Sequence, residues 1–258
     1  MLGIVTEATL KLLPLPEWRA ALSFGYRTME AAARAILALF DAGLLPSAVE
    51  IADAFTLQAA KKRTGTKDFD GCEASLIVEV DGLREVTAIE IKRIREIGAL
   101  EEPVFIKEAD GELACEQVWQ TRREFSYSLR DTGLTKLNED IVVPRSRLVD
   151  LIRFASALQK ELQIPIACFG HAGDGNIHVN VMIDQNDPRQ TLAGDTALDR
   201  LFQQVIDWGG ALTGEHGVGL AKKRWWPLAA DESVRNLHQK IKIALDPQQL
   251  LNPGKFLD

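Results

Sequence analysis

Three of the four histidines of this 258-residue sequence lie in two glycine-rich stretches. The first stretch, residues 170–180, reads GHAGDGNIHVN. Its internal glycines disfavour a helix, so the sequence predicts a loop that carries His171 and leads into a strand. Side chains alternate between the two faces of a strand. His178 and Asn180 should therefore share one face, opposite a valine-rich face, as two polar side chains in the wall of a site.

The second stretch, residues 209–219, reads GGALTGEHGVG and surrounds a Glu-His pair with glycines. Glycines let the backbone pass close to a ligand. Glu215 can thus join His171 and His178 as the third ligand of a divalent metal. Two imidazoles and one carboxylate, with positions left open, are a catalytic set for zinc or iron. The alternative for both stretches is structural: polar side chains that cap backbone groups in turns, and a solvated Glu-His pair.

Two basic residues could hold an acidic substrate. Arg122 follows Trp119 by one turn of a predicted helix, and Lys136 is expected in a loop before a strand that begins near Asp140. An arginine fork is the usual clamp for a carboxylate. The alternative is that these side chains are solvated, as most arginines on helices are.

Composition excludes several classes of protein. The formal charge of −7 and the pI near 5.3 argue against a nucleic-acid partner, which needs a positive surface. No apolar run is long enough to span a membrane, and the N-terminus lacks the features of a signal peptide. Three scattered cysteines suit a reducing compartment. We therefore expect a cytoplasmic protein that would reach a membrane only through a partner.

The elements that must position these residues predict an α+β fold. Residues 18–107 show the order strand, helix, strand, strand, helix, strand, which is that of a ferredoxin-like antiparallel sheet covered by helices. A largely helical C-terminal part is expected to follow, with strands near 140–143, 164–169 and 175–183. Residues 3–13 alternate apolar and polar residues before Pro14 and so predict a further strand.

Five motifs in order, spread along the whole chain, resemble the C-terminal domain of FAD-linked oxidases of the vanillyl-alcohol oxidase type. This group includes the D subunit of glycolate oxidase, D-lactate dehydrogenase and D-2-hydroxyglutarate dehydrogenase. The motifs are LGIVTEATLKL at 2–12, NEDIVVP at 138–144, GHAGDGNIH at 170–178, TGEHGVG at 213–219 and LNPGK at 251–255.

The resemblance implies that residues 1–14 are the final strand of a missing FAD-binding domain and that residues 15–258 form the substrate and metal domain. No GxGxxG motif or comparable phosphate cradle occurs in the chain. FAD would therefore be held mostly outside it. By resemblance, the site residues are His216 as catalytic base, Arg122, Lys136 and Asn180 for substrate, His171, His178 and Glu215 for metal, and Gly3, Ile4, Asn252 and Lys255 near the flavin.

The implied function is oxidation of a small D-2-hydroxy acid, of the glycolate or D-lactate class, to the 2-oxo acid. We expect this chain to be inactive alone and to work with the FAD-binding domain and with an iron-sulfur or other electron-transfer subunit. The divalent metal is left open among zinc, manganese and iron. The alternatives are a metal-dependent hydrolase, which would act without flavin, and a non-catalytic metal- or partner-binding module.

Overall fold

The computed structural model describes residues 3–255, which form one antiparallel sheet with helices on both faces. The strands are β1 (Trp18–Tyr26), β2 (Ala48–Asp53), β3 (Ala74–Gly82), β4 (Phe105–Asp110), β5 (Thr135–Val142), β6 (Ile166–His171) and β7 (Asn176–Ile183). The helices are α1 (Met29–Asp41), α2 (Ala54–Thr64), α3 (Arg84–Gly98), α4 (Glu112–Arg130), α5 (Leu148–Leu162), α6 (Pro188–Asp207), α7 (Trp226–Ala229) and α8 (Glu232–Leu245).

The first half of the chain confirms the ferredoxin-like prediction. Its strands pair in the order β4-β1-β3-β2, all antiparallel, as a βαββαβ unit requires. The extra helix α2, between β2 and β3, is also where the sequence predicted it.

The second half continues the same sheet and carries the helices expected in the C-terminal part. The strands β6, β7 and β5 extend it beyond β2, because β2 pairs with β6. The element order β5-α5-β6-β7-α6 repeats the βαββα order of the first half, and the pairing β5-β7-β6 repeats β1-β3-β2. The sequence located these three strands but not their continuity with the first half. After β7, the regular elements of the described chain are all helical.

One face of the sheet carries the main hydrophobic core. The amphipathic helices α1, α3, α5 and α6 pack on this face. Alternate strand residues such as Phe24, Leu76 and Val179 point into the core and are almost completely buried. Burial of these apolar faces is the dominant favourable contribution to the stability of such a layer.

The opposite face is covered only in part, by α2 and α4, and it holds a smaller apolar cluster around Phe125 and Phe169. Cross-strand partners lie on the same face of a sheet. The register therefore places Glu50, His171 and His178 on this one face. The buried polar side chains that the register assigns to this face are Glu50, Ser75, Glu79, Asp140, Asn176, His178 and Asn180. This face of the sheet therefore carries the polar groups from which a site can be built.

Three predictions about local structure were wrong. Residues 3–16 form no strand, pair with none of the strands of the described chain and are exposed. Lys136 lies on β5 and not in a loop, since that strand begins at Thr135. The helix expected at 220–229 is a 3₁₀ turn (Lys223–Trp225) followed by a single turn that has proline near its start.

Within residues 3–255, no helix has both the length and the apolar character needed to cross a lipid bilayer.

Candidate metal and substrate site

The three predicted metal ligands come together on the polar face of the sheet. His171 ends β6, His178 lies on the neighbouring strand β7, and Glu215 belongs to the loop that follows α6. One ligand atom from each lies within 4.8 Å of the other two. Two imidazoles and a carboxylate at this separation suit a divalent transition metal, and the set leaves coordination positions open.

The state of His178 fits a ligand role. Its ring is buried between Phe169 and His216, at centroid distances of 5.2 and 5.6 Å. Its Nδ1 is buried and has no hydrogen-bond partner among the described residues. Burial, assisted by the neighbouring positive groups, lowers the pKa of His178 to about 4. The imidazole is therefore neutral near pH 7, which is the form that binds metals.

Glu50 on β2 is a site residue that the sequence reasoning missed. Only 4% of it is exposed. One carboxylate oxygen, Oε1, is hydrogen-bonded to Nδ1 of His171, and the other accepts from Arg122 Nε at 2.7 Å. Burial alone would raise the pKa of this carboxyl, but the bond to His171 and the charge of Arg122 outweigh it and lower the pKa below its ordinary value. Glu50 thus orients His171 with Nε2 left for a ligand bond.

Arg122 on α4 lies beside the metal set and is not solvated. Its side chain is 11% exposed, and Nη2 lies 2.6 Å from Glu50 Oε2. The guanidinium also lies over the rings of Phe125 and Phe169, at 5.4 and 5.0 Å from their centroids. These contacts hold the guanidinium, paired with Glu50, next to the histidines.

Lys136 and Asn180 lie on the same face of the sheet but have different partners. Lys136 donates from Nζ to Ser126 Oγ at 3.1 Å, one helical turn beyond Arg122. Burial, with the charge of Arg130 second, lowers the pKa of this lysine. Asn180 is fully buried and donates to two backbone carbonyl oxygens, those of Ala167 and His178. Its Oδ1 is buried and has no hydrogen-bond partner in the described chain.

The loop with Glu215 and His216 is bound to Asp140, the second residue that the sequence reasoning missed. Backbone N–H groups of Gly214, Glu215 and His216 all donate to Asp140 Oδ2. Burial opposes ionisation, yet these bonds and that from Asn176 hold the pKa of Asp140 well below its usual range. The carboxylate is therefore an anion that binds the loop.

His216 is exposed on the open side of the site. Its ring stacks on His178 with an interplanar angle of 25°, and its Nε2 lies 3.7 Å from Glu215 Oε1. The side chain of Glu215 is 58% exposed. The two side chains thus face the space above the buried histidine, where a substrate could reach them.

The four residues predicted near the flavin are not part of this cluster. Gly3 and Ile4 belong to the exposed N-terminal segment, and Asn252 and Lys255 lie in the irregular C-terminal tail. In residues 3–255, none of the four hydrogen-bonds to the clustered histidines or to Glu215. Their contact with a flavin remains a prediction.

Comparisons with known proteins agree with this fold. A sequence profile described as "FAD linked oxidases, C-terminal domain" matches residues 15–256. The glycolate oxidase subunit GlcD of Bacillus subtilis (strain 168) is 31% identical over 255 residues, which are 99% of this chain and 54% of that protein. A D-lactate dehydrogenase of Anaerostipes hadrus is 27% identical over 267 residues, at 99% and 55% coverage. The chain thus spans about half the length of these relatives.

Two solved structures share the fold at low sequence identity. The first, p-cresol methylhydroxylase with substrate bound, superposes with a TM-score of 0.70 at 14% identity, over 95% of this chain and 54% of that one. The second, 4-ethylphenol oxidase from Gulosibacter chungangensis, gives 0.69 at 16% identity, with 96% and 55% covered. Since the family profile covers nearly the whole sequence, this chain belongs to the FAD linked oxidases, C-terminal domain family.

Proposed function

We propose that this chain is the substrate- and metal-binding part of a flavin-dependent dehydrogenase that oxidises a small D-2-hydroxy acid to the 2-oxo acid. One observation carries the proposal: the cluster of His171, His178 and Glu215 lies beside the partly buried guanidinium of Arg122. A metal set next to a fixed positive charge suits a substrate that has both a chelating hydroxyl and a carboxylate. The named relatives, a glycolate oxidase subunit and a D-lactate dehydrogenase, support the glycolate or D-lactate class.

The cluster would hold zinc, manganese or iron. A divalent ion bound there would act as a Lewis acid toward the substrate hydroxyl. His171, oriented by Glu50, and the neutral His178 provide nitrogen ligands, and Glu215 provides a carboxylate.

The chain's own residues then perform the remaining tasks. His216 accepts the hydroxyl proton, since it is exposed, glycine-flanked and stacked on a ligand ring. Arg122 binds the substrate carboxylate, with Lys136 and Asn180 completing the substrate pocket. The rings of Phe125 and Phe169 under the guanidinium exclude water from one side of Arg122.

When bound, FAD supplies the hydride acceptor. We propose that a domain outside this chain holds most of the flavin, with Gly3, Ile4, Asn252 and Lys255 at its edge. On that view, residues 1–14 complete the flavin domain, residues 15–258 form the substrate domain, and this chain alone does not oxidise substrate. A further iron-sulfur or electron-transfer subunit would remove the electrons.

Binding of a 2-hydroxy acid tests the proposal directly. Titration calorimetry of the Mn²⁺-loaded chain should show that D-lactate binds at least roughly tenfold more tightly than propionate, because propionate lacks the chelating hydroxyl. Equal affinities for the two acids would contradict the proposal. Hydrolysis of an ester by the metal-loaded chain without flavin would instead support the hydrolase alternative.

Replacing Glu50 by Gln should lower Mn²⁺ affinity roughly tenfold to hundredfold, the usual effect of losing the partner that orients a ligand histidine. The amide keeps the size of the side chain but removes the charge that holds both His171 and Arg122. Glu79→Gln is the matched control. Glu79 lies on the same face and binds Arg19 and Trp119, but no proposed ligand. Titration with Mn²⁺ measures the metal affinity of both variants. An equal loss of affinity in Glu79→Gln would show that Glu50 has no specific role in the site.

A further inference from the structure

One carboxylate oxygen holds the whole tip of the loop that carries Glu215 and His216. Asp140 is completely buried, with 0% of its surface exposed. Its Oδ2 accepts four hydrogen bonds, from Thr213 Oγ1 at 3.0 Å, Gly214 N at 2.9 Å, Glu215 N at 2.8 Å and His216 N at 2.9 Å. Its Oδ1 accepts from Asn176 Nδ2 at 2.5 Å. The aspartate is thus saturated, and three of its bonds come from consecutive backbone groups of the loop.

The loop needs this anchor because it has little regular structure of its own. Residues 212–222 contain no helix or strand, so their backbone N–H groups lack the partners that a ladder would provide. Gly214 lies so close to the anchor that a Cβ there would collide with the side chains of Asp140 and Asn176.

A second set of hydrogen bonds holds the C-terminal end of the loop, at Lys222. The buried Lys222 donates from Nζ to the backbone oxygens of Asp140 and Leu212, each at 2.8 Å. The segment that carries Glu215 and His216 is therefore bound to Asp140 at two places. Residues 213–216 bind its carboxylate, and Lys222 binds its backbone carbonyl. Asp140 is the cross-strand partner of His178. The loop bound to Asp140 is therefore fixed relative to that histidine.

We propose that Asp140 is the positioning residue of the site: its carboxylate sets where Glu215 and His216 stand relative to His171 and His178. This inference rests on the proposed function and adds the group that preorganises it. A ligand on a loop that is already held loses less conformational freedom when it binds a metal. Without the anchor, the atoms that meet within 4.8 Å would not be held together.

Asp140→Asn tests the inference, because the amide has no negative charge and only one acceptor oxygen, which cannot serve both the loop and Asn176. In the purified chain, hydrogen exchange followed by mass spectrometry should show amides 214–216 exchanging at least roughly tenfold faster. Calorimetry should show Mn²⁺ affinity reduced roughly tenfold to hundredfold.

Asp53→Asn is the matched control. Asp53 accepts from the backbone N–H groups of Thr56 and Cys168 but touches no residue of the loop. This control should change neither readout, even if it lowers the melting temperature. Thr213→Val is a milder variant for use if Asp140→Asn does not fold. It removes one donor and should lower Mn²⁺ affinity roughly twofold to tenfold, the effect of one hydrogen bond.

The two readouts separate this inference from the function on which it rests. Unchanged exchange at 214–216 in Asp140→Asn overturns the anchoring, whatever happens to the metal. Faster exchange with wild-type Mn²⁺ affinity overturns the positioning role, since the loop would then be held without consequence for the ligand set. Absence of Mn²⁺ binding in the wild type instead contradicts the proposed function, and the exchange result alone then decides whether Asp140 anchors the loop.

Discussion

Replacing His178 by Ala should reduce the affinity of this chain for a divalent metal roughly a thousandfold, about 4 kcal/mol. His178 supplies the buried, neutral imidazole of the cluster, and without it one imidazole and an exposed carboxylate remain. The metal content of the purified variant, measured by elemental analysis against the wild type, gives the result. His238→Ala is the control, because His238 lies on α8 against Trp226 and outside the cluster. It should retain full metal content.

Loss of folding could imitate loss of a ligand, because His178 is buried against Phe169. His178→Phe separates the two effects, since it fills the volume of the ring without a ligand nitrogen. This variant should show a wild-type circular dichroism spectrum and no bound metal. Wild-type metal content in either variant would exclude His178 from the set.

The histidine set could be predicted because its signals are local. Glycines exclude a helix around His171, and strict alternation along residues 176–183 places His178 and Asn180 on one face. The structure brings His171 and His178 to within 4.8 Å of Glu215, counted between ligand atoms. Arg122 could be named from its helix, but its partner could not.

Glu50 and Asp140 could not be predicted because their roles depend on strand register. Glu50 bonds a histidine 121 residues away, and Asp140 bonds an amide 76 residues away. A carboxylate in a short strand ordinarily indicates a solvent-facing position. Only the pairing of β2 with β6, and of β5 with β7, shows that these two carboxylates lie under the site. A one-residue shift of register would turn both to the opposite face.

The same difference between local and non-local signals explains the fold predictions. The ferredoxin-like half follows from alternation and from helix caps such as Thr28, whose hydroxyl accepts from Ala31 N. The joining of two βαββα units through β2 and β6 has no local signature, because it is decided by which edges remain open.

In the flavin-loaded enzyme that the proposed function requires, His216→Ala should lower kcat roughly 10²- to 10⁴-fold, the range for loss of a general base. The imidazole stands over His178 on a loop fixed by Asp140, so no other described side chain is held in its place. Arg122→Ala should instead raise KM roughly tenfold to hundredfold, since a charge-assisted carboxylate contact is made in the ground state and in the transition state alike. Steady-state kinetics on D-lactate or glycolate separates the two effects.

Arg122→Ala also leaves Glu50 with His171 as its one remaining partner, so part of its effect could reach kcat through the metal set. Arg122→Lys keeps the charge beside Glu50 while removing the planar fork. It should recover kcat but not KM. Arg63→Ala, which removes a surface arginine bound to Glu124 and Asp131, should change neither constant. If His216→Ala kept near-normal kcat while Arg122→Ala abolished turnover, the two roles would be wrong, and the base would have to be sought among the groups around the metal.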